Sequence, residues 1–159
     1  MRILLSFAAL FMSIVFVQLS SGAMGPLDAL SGVALGFSTA EIGRLGSAHF
    51  VGFFIGCWWA PRIMGSVGHG RTFAVFAAFG TLGALGHTLT TDPNVWAVLR
   101  VLTGMAVAGS YTVVESWLQA KVTNATRGRA LGAYRLVDIT ASLAGQRLIG
   151  FLAPAAYVS

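Results

Sequence analysis

Arg135 and Asp138 stand three residues apart in a stretch, Ala130 to Tyr157, that is otherwise dominated by apolar and small residues. On a helix that spacing puts both on one face, where they partly neutralise each other. Counted from Gly128 at 1.5 Å per residue, Asp138 lies about 15 Å along the helix, close to the middle of a ~30 Å hydrocarbon layer. A carboxylate at that depth has two uses: it closes a structural pair with Arg135, or it carries a proton. Glu115, near the end of another apolar stretch, offers the same choice between an anchor paired with Arg127 or Arg129 and a titratable group. Arg100 lies about 9 Å inside the stretch Val95 to Leu118. It either snorkels to the interface or faces the interior, where it pairs with an acid or contacts an anionic group of a solute.

Neutral polar groups accompany these charges. Gln18 with Ser20 and Ser21, Tyr111, and Gln146 after Gly145 all lie within apolar stretches, where such side chains hydrogen-bond to a neighbouring helix or to a solute. Arg147 falls near the end of its stretch and reads as a snorkelling residue. The three histidines, His49, His69 and His87, are far apart and at different depths, and Cys57 is the only cysteine, so no metal site is expected. No nucleophile elbow, zinc-protease motif or phosphate-binding loop is present, so neither an enzyme nor a cofactor is expected.

The elements that must position these groups follow from composition. Of 159 residues, 56% are hydrophobic and 9% charged, against roughly 25% charged in a soluble domain. That composition excludes most soluble enzymes. The pI of about 10.4 comes from bases scattered singly between apolar stretches, so it does not imply a nucleic-acid partner. Five stretches have the length and apolarity of membrane spans: Ile3 to Gly25, Ala48 to Ala60 with an extension back to near Ile42, Phe73 to Leu89, Val95 to Leu118, and Ala130 to Tyr157. The first also has features of a signal peptide, although its apolar character continues to Leu35. The expected architecture is all-α, a polytopic bundle in contact with the lipid bilayer.

Basic residues orient it. With the N-terminus inside, Arg2, Arg62, Arg71, Lys121, Arg127 and Arg129 are cytoplasmic, while Asp28, Glu41, Arg44 and Asp92 lie on the opposite side. The expected location is the cell (inner) membrane, multi-pass, with a cytoplasmic N-terminus.

Two segments carry a family resemblance. Gly56-Cys57-Trp58-Trp59-Ala60-Pro61-Arg62 followed by Val67-Gly68-His69-Gly70-Arg71 resembles the loop between helices two and three of major facilitator superfamily transporters, with Ala60-Pro61 where that motif usually carries an Asp. Arg100-Val101-Leu102-Thr103-Gly104, then Gly109, looks like the superfamily's helix-four signature. With Gly36-Phe37-Ser38, Glu115-Ser116-Trp117-Leu118, Asn124 to Arg129, Tyr134 and Gly145-Gln146, the order of motifs is similar to the YcaD-type branch.

The resemblance implies a secondary transporter of a small-molecule substrate, moved by alternating access and coupled to protons through Asp138 or Glu115. It implies that helices one, four and five line one cavity, bringing Gln18, Arg100, Tyr111, Glu115, Arg135, Asp138 and Gln146 together. It also implies that Gly56, Pro61, Arg62, Gly68, His69 and Arg71 form a cytoplasmic loop motif. Residues 1–159 then make an incomplete N-terminal bundle, helices one to five, whose partner is the missing C-terminal half. The alternative is a non-catalytic membrane subunit or an inactive truncated product.

Overall fold

The structure, a computed structural model, describes residues 2–151, with side chains from Phe7 onward. Five helices run in order: α1 (Arg2–Ala34), α2 (Thr39–Val67), α3 (His69–His87), α4 (Pro93–Gln119) and α5 (Arg127–Ile149). Among the described residues there is no strand, and the fold is the expected all-α bundle. Among the described residues, three segments are individually long and apolar enough to cross a membrane: Phe7–Ala34, Thr39–Val67 and Pro93–Gln119. The other two helices fall below that mark for compositional reasons. α3 carries Arg71, two histidines and several glycines, and α5 carries Arg127, Arg129, Arg135, Asp138 and Arg147. The end of the expected fifth span, from Leu152 to Tyr157, lies outside the described residues.

Helix ends follow local chemistry. The Ser38 hydroxyl accepts from the Glu41 backbone N–H at 3.3 Å while Glu41 Oε2 accepts from the Ser38 N–H at 2.8 Å, a capping box that starts α2. Asp92 caps α4 through Asn94 N–H at 2.7 Å, with Pro93 in the first turn, where its missing N–H costs nothing. Gly68 separates α2 from α3 at φ 81°, a left-handed value that side chains disfavour.

Two sequence expectations change here. The first span does not end at Gly25: α1 continues through Pro26 to Ala34, so Asp28 is inside a helix and buried, and not in an external loop. The expected loop of Gly56, Pro61 and Arg62 is likewise helical, because α2 runs to Val67 and leaves only Gly68 as a turn. Proline is tolerated inside membrane helices where neighbouring groups re-satisfy the freed carbonyl. Beside Pro61, the Arg62 guanidinium donates to the Trp58 carbonyl and lies 3.9 Å from the centre of the Trp58 ring.

α4 is the central helix, with Trp96, Arg100, Thr103, Gly104, Val113, Val114 and Leu118 among its buried residues. Glycines set how closely its neighbours approach, as expected where dispersion and not water drives helix association. A Cβ at Gly56 of α2 would stand 2.5 Å from the Met105 carbonyl oxygen, and one at Gly52 would collide with the Val101 carbonyl. A Cβ at Gly83 of α3 would meet Thr103 Cγ2 at 2.5 Å. α5 docks on α1 in the same way, Gly145 lying against Leu19 and Gly22 against Ser142. The outward faces carry Phe54, Trp58, Leu82, Val98 and Ile139, all exposed apolar side chains suited to lipid.

Candidate functional site

Two groups of charged side chains lie between the helices. The first joins α1, α3 and α4. Arg100 Nε stands 3.4 Å from Asp28 Oδ2, and His87 Nε2 stands 3.4 Å from the same oxygen. All three residues are buried: Asp28 is 3%, His87 2% and Arg100 7% exposed. Arg100 therefore does not snorkel; it reaches inward to an acid. The His87 ring sits 5.1 Å from the Trp96 ring, and Trp96 Nε1 donates to the Thr90 carbonyl at 2.7 Å, which fixes the indole over the cluster. Nothing in the local pattern around Asp28 or His87 marked them. The signal that could have found Asp28 is the unbroken apolar run to Leu35, which makes an intramembrane acid in need of a cation.

The second group joins α4 and α5. Arg135 Nη2 lies 3.3 Å from Glu115 Oε1, and Arg135 Nη1 lies 3.5 Å from Asp138 Oδ2. The Tyr134 hydroxyl donates to Glu115 Oε1 at 3.2 Å, and the Tyr111 hydroxyl donates to Asp138 Oδ1. Glu115 does not pair with Arg127 or Arg129, which are exposed at the start of α5; the partner is Arg135, two turns further on, where the helices face each other. The group grades from wet to dry: the Arg135 side chain is 61% and that of Glu115 40% exposed, whereas that of Asp138 is 11%.

The remaining expected residues stand apart. Gln18 is half-buried on α1 and lines neither of the two cavities. Gln146 is exposed, and its amide approaches Ser142 Oγ of its own helix at 3.5 Å. His69 Nε2 lies 3.3 Å from Ser116 Oγ and its ring 5.8 Å from that of Trp117, so it ties the start of α3 to the end of α4. Arg71 is exposed in the first turn of α3.

The resemblance implies a cavity of helices one, four and five; the cavity found draws on α1, α3 and α4. A cavity of about 530 Å³ opens between α1, α3 and α4, lined by Met12, Phe16, Met24, Phe76 and Arg100, with His49 from α2 and nothing from α5. α5 is excluded because its small residues bring it flush against α1. A smaller cavity of about 240 Å³ lies beside it, between α1 and α3, and is lined by Asp28 and His87. Of the polar residues the resemblance grouped, Arg100 alone lines the larger cavity. Tyr111, Glu115, Arg135 and Asp138 form the separate α4–α5 group.

Long apolar helices with exposed apolar side chains and few charges define a multi-pass α-helical membrane protein. Its relatives give the family. The chain is 32% identical over 114 residues to an uncharacterized MFS-type transporter of Yersinia pestis (strain Pestoides F), covering 72% of this chain and 30% of that protein. It is 28% identical over 114 residues to an uncharacterized MFS-type transporter of Enterobacter sp. (strain 638), with the same coverage. It is 29% identical over 112 residues to the uncharacterized MFS-type transporter YcaD of Escherichia coli O139:H28, covering 70% of this chain and 29% of that one. The chain belongs with these MFS-type transporters, on the branch that includes YcaD. It spans about 30% of the length of the curated relatives it matches. No family model and no solved structure matches it.

Proposed function

We propose that these helices form part of the first half of a secondary transporter, which moves a small solute across the inner membrane by alternating access and couples that movement to protons. The relatives support the transporter reading through their names. The observation that carries the coupling is Arg135, a single cation between two carboxylates, 3.3 Å from Glu115 and 3.5 Å from Asp138. One arginine neutralises one acid, so the group has a carboxylate in excess, and a proton on Asp138, the drier of the two acids, balances it.

Asp138 is the proton carrier in this reading, because it is the drier of the two acids and sits midway along α5, roughly 16 Å from Arg127. Tyr111 and Arg135 both contact Asp138, and Glu115 competes for Arg135. When Asp138 takes a proton, Arg135 is left to Glu115 alone and the contact between α4 and α5 weakens on the Asp138 side. That is a local rearrangement of the kind that biases a rocking bundle.

In this arrangement the N-terminus and the Gly68 turn face the cytoplasm, and the other half of the transporter supplies the opposite wall of the solute path. The test is flux of a solute panel in vesicles carrying the complete transporter, with and without an imposed pH gradient. Uptake or efflux that follows the gradient supports the reading. Inserted, well-folded protein whose flux ignores the gradient for every solute it moves overturns the coupling.

A further inference from the structure

The Asp28–His87–Arg100 cluster contains a proton count that does not come out even. His87 Nδ1 lies 2.7 Å from the Gly83 carbonyl oxygen, which can only accept, so that nitrogen carries a hydrogen and donates it. The other ring nitrogen, Nε2, faces Asp28 Oδ2 at 3.4 Å, and the carboxylate is also an acceptor. A neutral imidazole would therefore point a bare lone pair at a buried anion. Arg100 Nε stands 3.4 Å from the same oxygen. Asp28 Oδ2, His87 Nε2 and Arg100 Nε are all shielded, and none has an aligned hydrogen bond to another group. Buried polar atoms left in this state are rare.

From this geometry we propose that His87 carries an exchangeable proton on Nε2, held against Asp28, and that the cluster is a second protonation site separate from the carboxylates of α4 and α5. Each state of the cluster leaves one group poorly served. With the proton, Asp28, Arg100 and His87 together carry a net positive charge in a buried setting. Without it, the His87 lone pair faces the carboxylate. A site balanced in this way takes up or releases a proton with little movement of its neighbours.

Access is built in, because Asp28 and His87 both line the cavity of about 240 Å³ between α1 and α3. The groups facing the ring from each packed element are Asp28 of α1, Arg100 and the Trp96 indole of α4, and, acting through the charges of Asp28 and Arg100, His49 of α2. There is also a consequence for the larger cavity. Arg100 lines it, so a proton on His87 that draws on the Asp28 carboxylate loosens that carboxylate's hold on Arg100 and makes the guanidinium more available to an anionic group there.

The test reads the ring and not transport, so its failure is distinct from failure of the transporter reading. The full chain is labelled with 15N-histidine and placed in lipid bilayers, with His49→Gln and His69→Gln introduced so that His87 is the single histidine observed. The expected spectrum at neutral pH has hydrogens on both ring nitrogens, and the Nε2 hydrogen is lost in one step as the pH is raised. In Asp28→Asn the same nitrogen should be unprotonated already at neutral pH. An Nε2 that is bare at neutral pH in the Asp28 protein, or one that keeps its hydrogen throughout the titration, would overturn the proposal without requiring any change at Asp28 or His87.

Discussion

The two charged groups use the same chemistry at opposite degrees of burial. Around Asp28, three ionisable side chains from three helices are all under a tenth exposed, with the indole of Trp96 against the His87 ring. Around Arg135, the arginine itself is mostly exposed and only Asp138 is dry. In the first setting the side chains are shielded, so loss of one partner strands a charge. In the second setting water can replace either partner, so the group rearranges at small cost. The first group therefore holds α1, α3 and α4 together, and the second is suited to change state.

The largest expected effect is on the buried side. Arg100→Leu removes the arginine that pairs with Asp28 and leaves the carboxylate to His87 alone, so it should destabilise the folded protein by about 3–5 kcal/mol, read as a lowered melting point or loss of inserted protein. Asp28→Asn combined with Arg100→Leu should recover much of that loss. A single variant as stable as the parent would remove the distinction between the groups.

A smaller effect is expected at Tyr111→Phe. It deletes the donor to Asp138 at a cost of about 1 kcal/mol, and in the complete transporter it should shift the pH dependence of flux more than its stability. An unchanged pH profile would mean that the hydroxyl does not hold the ionised carboxylate. Smaller still is Arg135→Gln, for which less than about 1 kcal/mol of stability is expected to be lost, because exposed pairs contribute little. Raising the salt concentration should mimic this variant in the wild-type protein while leaving the Asp28 cluster untouched. A salt sensitivity that disappears in Arg100→Leu, and not in Arg135→Gln, would reverse the assignment.

The contrast also explains which parts were legible in the sequence. The Arg135–Asp138 pair was readable because it is local: three residues on a helix fix which side chains meet. Glu115 and Arg135 were readable as residues but not as partners, since Arg127 and Arg129 are nearer along the chain and only the angle between α4 and α5 selects the third arginine. Arg100 was flagged by its depth, but its acid lies in α1, 72 residues earlier. There Gly25 and Pro26 read as the end of a span. That reading is sound in water, where proline interrupts a helix, and fails where neighbouring helices compensate. In the sequence His87 is one of three scattered histidines; its burial involves Trp96, whose ring meets it from the next helix. The five helices themselves were visible in the apolar runs, whereas the cavity's position was not. It depends on α5 lying flush against α1, a contact made by Gly22 and Gly145 that hydropathy does not register.

The central claim is that Asp138 changes protonation during transport while the Asp28 cluster holds the bundle. It is tested most directly by Asp138→Asn in the complete transporter, reconstituted in vesicles with a substrate identified from the panel. Asparagine keeps the size and removes the titratable charge. The account predicts that flux driven by a pH gradient is lost while exchange of solute across the membrane, at equal pH on both sides, continues near the wild-type rate. Gradient-driven flux at the wild-type level in a well-inserted Asp138→Asn protein would contradict it and leave Glu115 as the carboxylate to test.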